Sequence, residues 1–303
     1  MTDSQNKPPL SQASDFPPEV LKLFDKYVHG ALDRRGFLDG AARYAVGGIT
    51  AAGLLAALSP KFAQAQKVAP TDPRINTESV DIPSPKGYGT IRALIARPAR
   101  ARSGKPGVVL VAHENRGLNP HIEDIARRLA VDGFIAVAPD ALTTFGGYPG
   151  DEDKARGLFG QLDQAKTRED FIAAAHYAQA LQGGNGKLGA VGFCWGGGTV
   201  NTLAEDVPTL VAGVPFYGVA PPLDKVGAIK AELLMMYAGD DERVNATFPA
   251  YEAALKAAGV RHESFKYTGA QHGFNNDTTP RFDESAATLA WGRTVAFFKR
   301  TLA

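Results

Sequence analysis

The only cysteine of the chain, Cys194, stands in Gly192-Phe193-Cys194-Trp195-Gly196. An apolar run that reads as a strand, Leu188–Phe193, precedes it, and a glycine-rich run that reads as a helix start follows. A nucleophile held at a sharp strand-to-helix turn needs small residues on both sides, because backbone segments crowd it there. The free amides and positive dipole end of the following helix favour thiolate over thiol. The backbone N–H of Trp195 is then placed to receive a developing oxyanion. An inert buried thiol is the commonest fate of a free cysteine, but the paired glycines and the strand–turn–helix setting point to a nucleophile in acyl transfer.

Such a thiol needs a base, and the base needs an orienter. His272, in Gly269-Ala270-Gln271-His272-Gly273-Phe274, follows the last strand-like run and has small neighbours that leave its ring free to turn. After the run Leu233–Tyr237 comes Ala238-Gly239-Asp240-Asp241-Glu242-Arg243. The order nucleophile, acid, histidine is that of hydrolases built on a nucleophile elbow. Asp241 is preferred to Asp240 as the carboxylate that fixes the imidazole tautomer, and the other aspartate of the turn is expected in solvent. The remaining histidines, including His29, His113 and His121, lack such a placement. In His113-Glu114-Asn115-Arg116-Gly117, after the run Gly107–Ala112, the Asn115 N–H would be the second oxyanion donor. Arg116 and Phe274 are candidate substrate contacts. No second histidine stands four residues after His113, so the His-Glu pair is not a zinc motif.

Every one of these residues falls just after a predicted strand. The spacing predicts a hairpin from Ser79–Ile82 and Ile91–Arg97, and strands at Gly107–Ala112, Phe134–Ala138, Leu188–Phe193, Val211–Phe216, Leu233–Tyr237 and His262–Tyr267. Helices are predicted over Pro120–Asp132, Lys166–Leu181, from Gly196, over Thr247–Ala258 and over Phe282–Leu302. Continuous apolar strands alternating with amphipathic helices imply an α/β class and a mostly parallel, doubly wound sheet covered on both faces. Reactive residues then gather in loops at the carboxyl ends of the strands. With the elbow, this is the α/β-hydrolase fold.

Residues 76–303 resemble the dienelactone hydrolases, or carboxymethylenebutenolidases. The likeness is carried by His113-Glu114-Asn115-Arg116-Gly117, Ala138-Pro139-Asp140, the Cys194 elbow, Gly239-Asp240-Asp241 and His272-Gly273-Phe274. The resemblance implies hydrolysis of an ester or enol lactone through an acyl-enzyme on Cys194. It also implies a role for Glu114 in generating the thiolate; a loop salt bridge with Arg116 is the plainer reading of that residue. Two arginines that grip the substrate carboxylate in the family have no match in Ala141–Phe145 or Asn275–Asp277, and Arg281 could substitute only if its loop folds back. A non-catalytic or acyl-transferring protein on the same fold is the alternative.

Residues 1–65 are of another kind. Residues 1–20 are polar and read as a loose tail. Leu21, Phe24 and Val28 have helical spacing. Asp33-Arg34-Arg35-Gly36-Phe37-Leu38, a weakly apolar run from Tyr44 to Leu58 and Ala63-Gln64-Ala65 resemble a twin-arginine export leader. On that reading the protein is periplasmic or exported. On the alternative reading the segment is a retained helical arm on a cytoplasmic protein, packed on its own domain or on a second subunit. Residues 66–75 form a linker, and 76–303 the hydrolase domain.

The chain has 303 residues, a formal charge of +1, 44% hydrophobic and 21% charged residues, enough for a large core. The near-neutral balance speaks against a nucleic-acid surface, and the apolar run is shorter than the roughly 20 residues a membrane span needs. One cysteine excludes an internal disulfide. No phosphate-binding glycine loop occurs, and no metal or organic cofactor is expected. The partner expected is a small ester or lactone, and a homo-oligomer is compatible with this composition.

Overall fold

A computed structural model describes residues 11–100 and 104–303. Eight strands form one sheet: β1 (Ile75–Ser84), β2 (Gly89–Pro98), β3 (Val108–Ala112), β4 (Ile135–Asp140), β5 (Leu188–Phe193), β6 (Leu210–Phe216), β7 (Glu232–Asp240) and β8 (His262–Gln271). Their spatial order is β1-β2-β4-β3-β5-β6-β7-β8. β1 and β2 form an antiparallel hairpin and β2 meets β4 antiparallel; all other pairs are parallel. This is the α/β-hydrolase fold that the sequence predicts.

Side-chain alternation along a strand divides the core into two layers. Val108, Leu110 and Ala112 of β3 join the cluster containing Phe171, Ala174, Val200, Leu203 and Leu255. Those residues come from the helices Gln164–Gln179, Trp195–Asp206 and Phe248–Ala257. Val109 and Val111 join the opposite cluster, with Ile122, Ile125 and Leu129 of the helix Pro120–Asp132 and Phe297 and Phe298 of the helix Glu284–Thr301. Both layers are apolar, so β3 and β5 are buried along their whole length and show no polar alternation.

The N-terminal segment is described from residue 11 on, and its first ten residues, half of the expected loose tail, lie outside the described ones. The expected loose tail is thus replaced, from Ala13 on, by a short 3₁₀ turn and a helix, Pro18–Val28. Further helices span Arg34–Ala41, Ala51–Leu58 and Phe62–Ala65. Phe16, Val20, Phe24, Tyr27, Phe37, Leu54, Leu55 and Leu58 form their own apolar cluster. Asp33 caps the second of these helices by accepting from the Gly36 N–H at 2.7 Å, which accounts for an aspartate ahead of the two arginines. Among the described residues, no helix is long and apolar enough to cross a membrane.

The segment packs against its own domain. Tyr27 donates to Asp153, Arg34 pairs with Asp153 at 3.0 Å and Arg281 pairs with Asp25 at 3.3 Å. The Arg156 guanidinium lies 3.9 Å from the centre of the Tyr27 ring. Behind it, the Lys61 N–H donates to the Thr278 carbonyl at 2.8 Å.

Candidate active site

Cys194 sits at the tip of β5 with φ 56° and ψ −113°, one of two non-glycine residues with positive φ among those described. Such backbone is costly and persists only where surrounding contacts impose it. Here the Cys194 N–H donates to the Phe216 carbonyl at 3.1 Å, and the Cys194 carbonyl accepts from the Gly198 N–H at 3.2 Å. The flanking glycines are sterically required. A Cβ on Gly192 would overlap the Gly196 carbonyl, and one on Gly196 would overlap the Ala112 carbonyl. The second contact presses the start of the helix Trp195–Asp206 against the end of β3, which brings the Trp195 N–H and the 113–117 loop to one place.

That loop is fixed from behind. His113 is fully buried; its Nε2 accepts from the Ala141 N–H at 3.1 Å, and its Nδ1 contacts the Glu114 carbonyl at 2.5 Å. Burial lowers its pKa, so its role is to tie the loop to β4. Its ring stacks on Trp195 at 5.3 Å, and Phe159 and Phe171 meet the same indole edge-on. The Trp195 side chain is therefore held from below, and its Nε1 donates to Gln164 at 3.1 Å.

His272 follows β8. Its Nδ1 lies 2.6 Å from Asp241 Oδ2, and both residues are buried. The other Asp241 oxygen accepts from the Val244 N–H at 3.2 Å, so the carboxylate caps a short helix and cannot rotate away. Asp240 is exposed. The Tyr217 ring rests 4.9 Å from the His272 ring. The loop beyond His272 is anchored by Asp277, which pairs with Arg128 at 2.8 Å and with Lys67 at 3.3 Å.

A ring not singled out in the sequence completes the cluster. His29, at the end of the helix Pro18–Val28, places its Nε2 3.6 Å from Cys194 Sγ and 3.2 Å from His272 Nε2. Its Nδ1 lies 2.8 Å from the Asp25 carbonyl and 3.2 Å from the Asp25 carboxylate. One thiol is thus flanked by two imidazoles, each backed by an aspartate. The only local trace in the sequence is Asp25 four residues before His29 on a helix.

The charges cooperate. Burial raises the Cys194 pKa, but the His272 and His29 imidazoles outweigh it and hold the thiol at about 5. Burial lowers the His29 pKa, and Asp25 and the Cys194 sulfur overcome this and push it to about 10. His272 is raised in the same way against burial, by Cys194 and Asp241, and Asp241 is lowered by His272 despite its burial.

A cavity of about 380 Å³ opens over the thiol. Its wall includes Cys194, His272, Glu114, Asn115, Arg116 and Arg281 from the domain and Phe24, Tyr27, His29 and Leu55 from the N-terminal segment. Glu114 accepts from Asn276 Nδ2 at 3.0 Å, and that is its hydrogen bond here rather than one to the thiol. Asn115 donates through Nδ2 to the Val28 carbonyl at 2.8 Å. Arg116 is buried, donates to Val28 and Asn115, and faces Glu152 at 3.6 Å, so its salt-bridge partner is Glu152 and not Glu114. Phe274 is not on the cavity wall. It is fully buried against Phe216, Tyr217 and Tyr267, behind His272, so the substrate-contact expectation for it is corrected to a packing role. The loop after His272 does fold back: the Arg281 guanidinium lies against Gly273 and lines the cavity.

A cysteine on a strained strand-to-helix turn at the end of β5, an aspartate after β7 and a histidine after β8 sit on an α/β-hydrolase scaffold. The dienelactone hydrolase family model matches residues 91–302, and a YqhI-like model matches residues 8–46. The "Putative hydrolase fragment YghX" of Escherichia coli is 51% identical over 115 residues, 38% of this chain and 97% of that protein. A "Putative carboxymethylenebutenolidase" of Salmonella typhi is 33% identical over 221 residues, 68% of this chain and 81% of that protein. The crystal structure of a "Putative Dienelactone Hydrolase" of Klebsiella pneumoniae superposes with a TM-score of 0.67 at 30% identity, covering 75% of this chain and 99% of that one. The chain belongs to the dienelactone hydrolase family.

Proposed function

We propose that this hydrolase cleaves small esters or lactones through a covalent thioester on Cys194. One observation carries the reading: the thiol stands on a strained elbow facing His272, whose far nitrogen is locked to Asp241 at 2.6 Å. The thiolate attacks the acyl carbon, and the carbonyl electrons move to an oxyanion that the Trp195 and Asn115 N–H groups receive. The acyl–oxygen bond then breaks, and the departing oxygen takes a proton from the His272 imidazolium. Water adds to the thioester as His272 removes its proton, and collapse releases the carboxylic acid and the thiolate.

The anionic end of such a substrate would meet Arg281. Its guanidinium lies against Gly273, the residue after His272, and pairs with Asp25 through Nη1, while its Nε is buried with no hydrogen-bond partner among the described residues. Glu114, held by Asn276 at the cavity wall, would act on the thiol only after turning from that bond as substrate enters.

The N-terminal segment is best read as a retained arm that forms one wall of the cavity. Its support is the arm's own apolar cluster and its contacts to Asp153, Arg156 and Arg281. N-terminal sequencing of the native protein tests this: a start ahead of Pro18 is expected, and a start near Gln66 restores the export-leader reading with a periplasmic location. For the hydrolase itself, a panel of aryl esters and lactones should show turnover that iodoacetamide abolishes; turnover indifferent to thiol alkylation would overturn the mechanism.

A further inference from the structure

The triad leaves His29 unexplained. A Cys-His-Asp mechanism needs one imidazole at the sulfur, and here two converge on it from opposite ends of the chain. Their tautomers are set by what lies behind them. His272 Nδ1 faces a carboxylate oxygen, and His29 Nδ1 faces the carbonyl and carboxylate oxygens of Asp25. These groups only accept, so each Nδ1 carries a proton, and each Nε2 can offer a lone pair once the remaining proton of the cluster is gone. Arg243, exposed, lies 3.3 Å from the same His29 Nε2. Two imidazole lone pairs 3.2 Å apart and a sulfur 3.6 Å away therefore point at one small volume. In the metal-free protein a proton shared with the sulfur fills that volume, and a divalent ion could take its place.

These separations have a second meaning. With metal–nitrogen bonds of about 2.0–2.1 Å and a metal–sulfur bond of about 2.3 Å, tetrahedral angles place N and N about 3.3 Å apart and N and S about 3.6 Å apart. The two edges from His29 Nε2 are 3.2 and 3.6 Å, and the ligand atoms of His29, Cys194 and His272 all lie within 4.8 Å of one another. An imidazole ligand whose other nitrogen donates to a carboxylate is the usual outer arrangement of zinc sites, and Asp241 and Asp25 supply it on both sides. The donor set, two nitrogens and a thiolate, suits zinc and its class of borderline divalent ions.

We propose that His29, Cys194 and His272 form a three-ligand tetrahedral site for a zinc-class divalent ion that pins the N-terminal arm over the nucleophile and stops hydrolysis. The ion would take the electron pairs that Cys194 and His272 use in the reaction, displacing to solvent the proton that the imidazoles share with the sulfur. No sequence motif announces the site, because its ligands come from three distant segments. The inhibitory half rests on the hydrolase reading, whereas metal binding does not.

Cobalt(II) added alone to the full-length, metal-free protein separates the two. One equivalent should give a thiolate-to-cobalt charge-transfer band in the near ultraviolet and intense tetrahedral bands in the visible. Cys194→Ser should lose the charge-transfer band, and His29→Ala should weaken binding at least about tenfold, a loss of the size seen when even outer-shell partners are removed. His29→Gln, checked for an unchanged melting temperature, guards against a misfolded arm. Zinc should inhibit the wild type at a concentration at least about tenfold lower than it inhibits His29→Ala, each relative to its own metal-free rate. Absence of the cobalt spectrum, or equal affinities in wild type and both His29 variants, overturns the proposal. A protein that binds cobalt this way but hydrolyses no ester would retain the site and lose the proposed reaction.

Discussion

His272 Nδ1 and Asp241 Oδ2 lie 2.6 Å apart, while Asp240, the preceding residue, is exposed at the end of β7. The chain turns into a short helix at Asp241, so adjacent carboxylates point in opposite directions. Asp241→Asn should leave the fold intact and present the wrong tautomer of His272 at the thiol, lowering kcat by about 10²–10⁴-fold. Asp240→Asn should stay within about twofold, because that side chain faces solvent. Steady-state hydrolysis of an aryl ester by the two variants checks this; an equal loss in both would deny Asp241 its role.

The elbow glycines should act on stability as well as rate. Gly192→Ala places a methyl group into the Gly196 carbonyl, and Gly196→Ala places one into the Ala112 carbonyl. Neither obstacle is a side-chain tip that can swing aside, so each change should cost about 3 kcal/mol or more by forcing backbone apart. Urea unfolding measures it, with the urea midpoint of either variant falling well below that of Gly157→Ala, a site with nothing within 4 Å of the new Cβ.

The sequence made this half of the molecule legible for physical reasons. β3 and β5 are buried on both faces, so they read as unbroken apolar runs, and the helix Pro120–Asp132 has Asn119 as its cap, Pro120 at its start and Gly133 at its end. The helix Glu152–Phe159 leaves no periodic trace, because it buries only Ala155 and Phe159 in an otherwise polar stretch. Arg281 could be placed only by a loop that folds back over Gly273. His29 lies 243 residues from His272, and no local pattern encodes a contact across that distance. The helix ahead of it, Pro18–Val28, is legible from the helical spacing of Leu21, Phe24 and Val28, but the Ala- and Gly-rich run that follows looks as much like a leader as like a core.

The arm's own core should control access to the thiol. Phe37 is fully buried between Phe24 and Tyr27, with ring centroids 6.2 and 5.6 Å away. Phe37→Ala should remove about 3–5 kcal/mol from the arm's packing and speed labelling of Cys194 by iodoacetamide several-fold. Unchanged labelling, with arm loosening confirmed by hydrogen exchange, would show that the arm does not shield the nucleophile.

Away from the site, Glu205 gives the stability a pH dependence. It lies beside Asp206 and Asp224, and burial first, then these carboxylates, raise its pKa from 4.5 to about 7 against the pull of Arg168. The folded state therefore holds this proton more tightly than the unfolded chain. Its contribution to stability is complete below pH 4.5 and is lost as pH rises through about 7. Glu205→Gln should flatten the urea midpoint between those pH values relative to wild type. A wild-type and variant pair with parallel profiles would refute the shift.

The central claim is that Cys194 carries the acyl group. Mixing stoichiometric activated aryl ester with the protein, quenching in acid and reading the intact mass tests it most directly. The account predicts one acyl adduct, mapped to the peptide containing Cys194, formed in a burst and absent in Cys194→Ala, whose turnover falls by at least about 10³-fold. Full turnover by Cys194→Ala, or an adduct on any other residue that forms and decays at the catalytic rate, would contradict it.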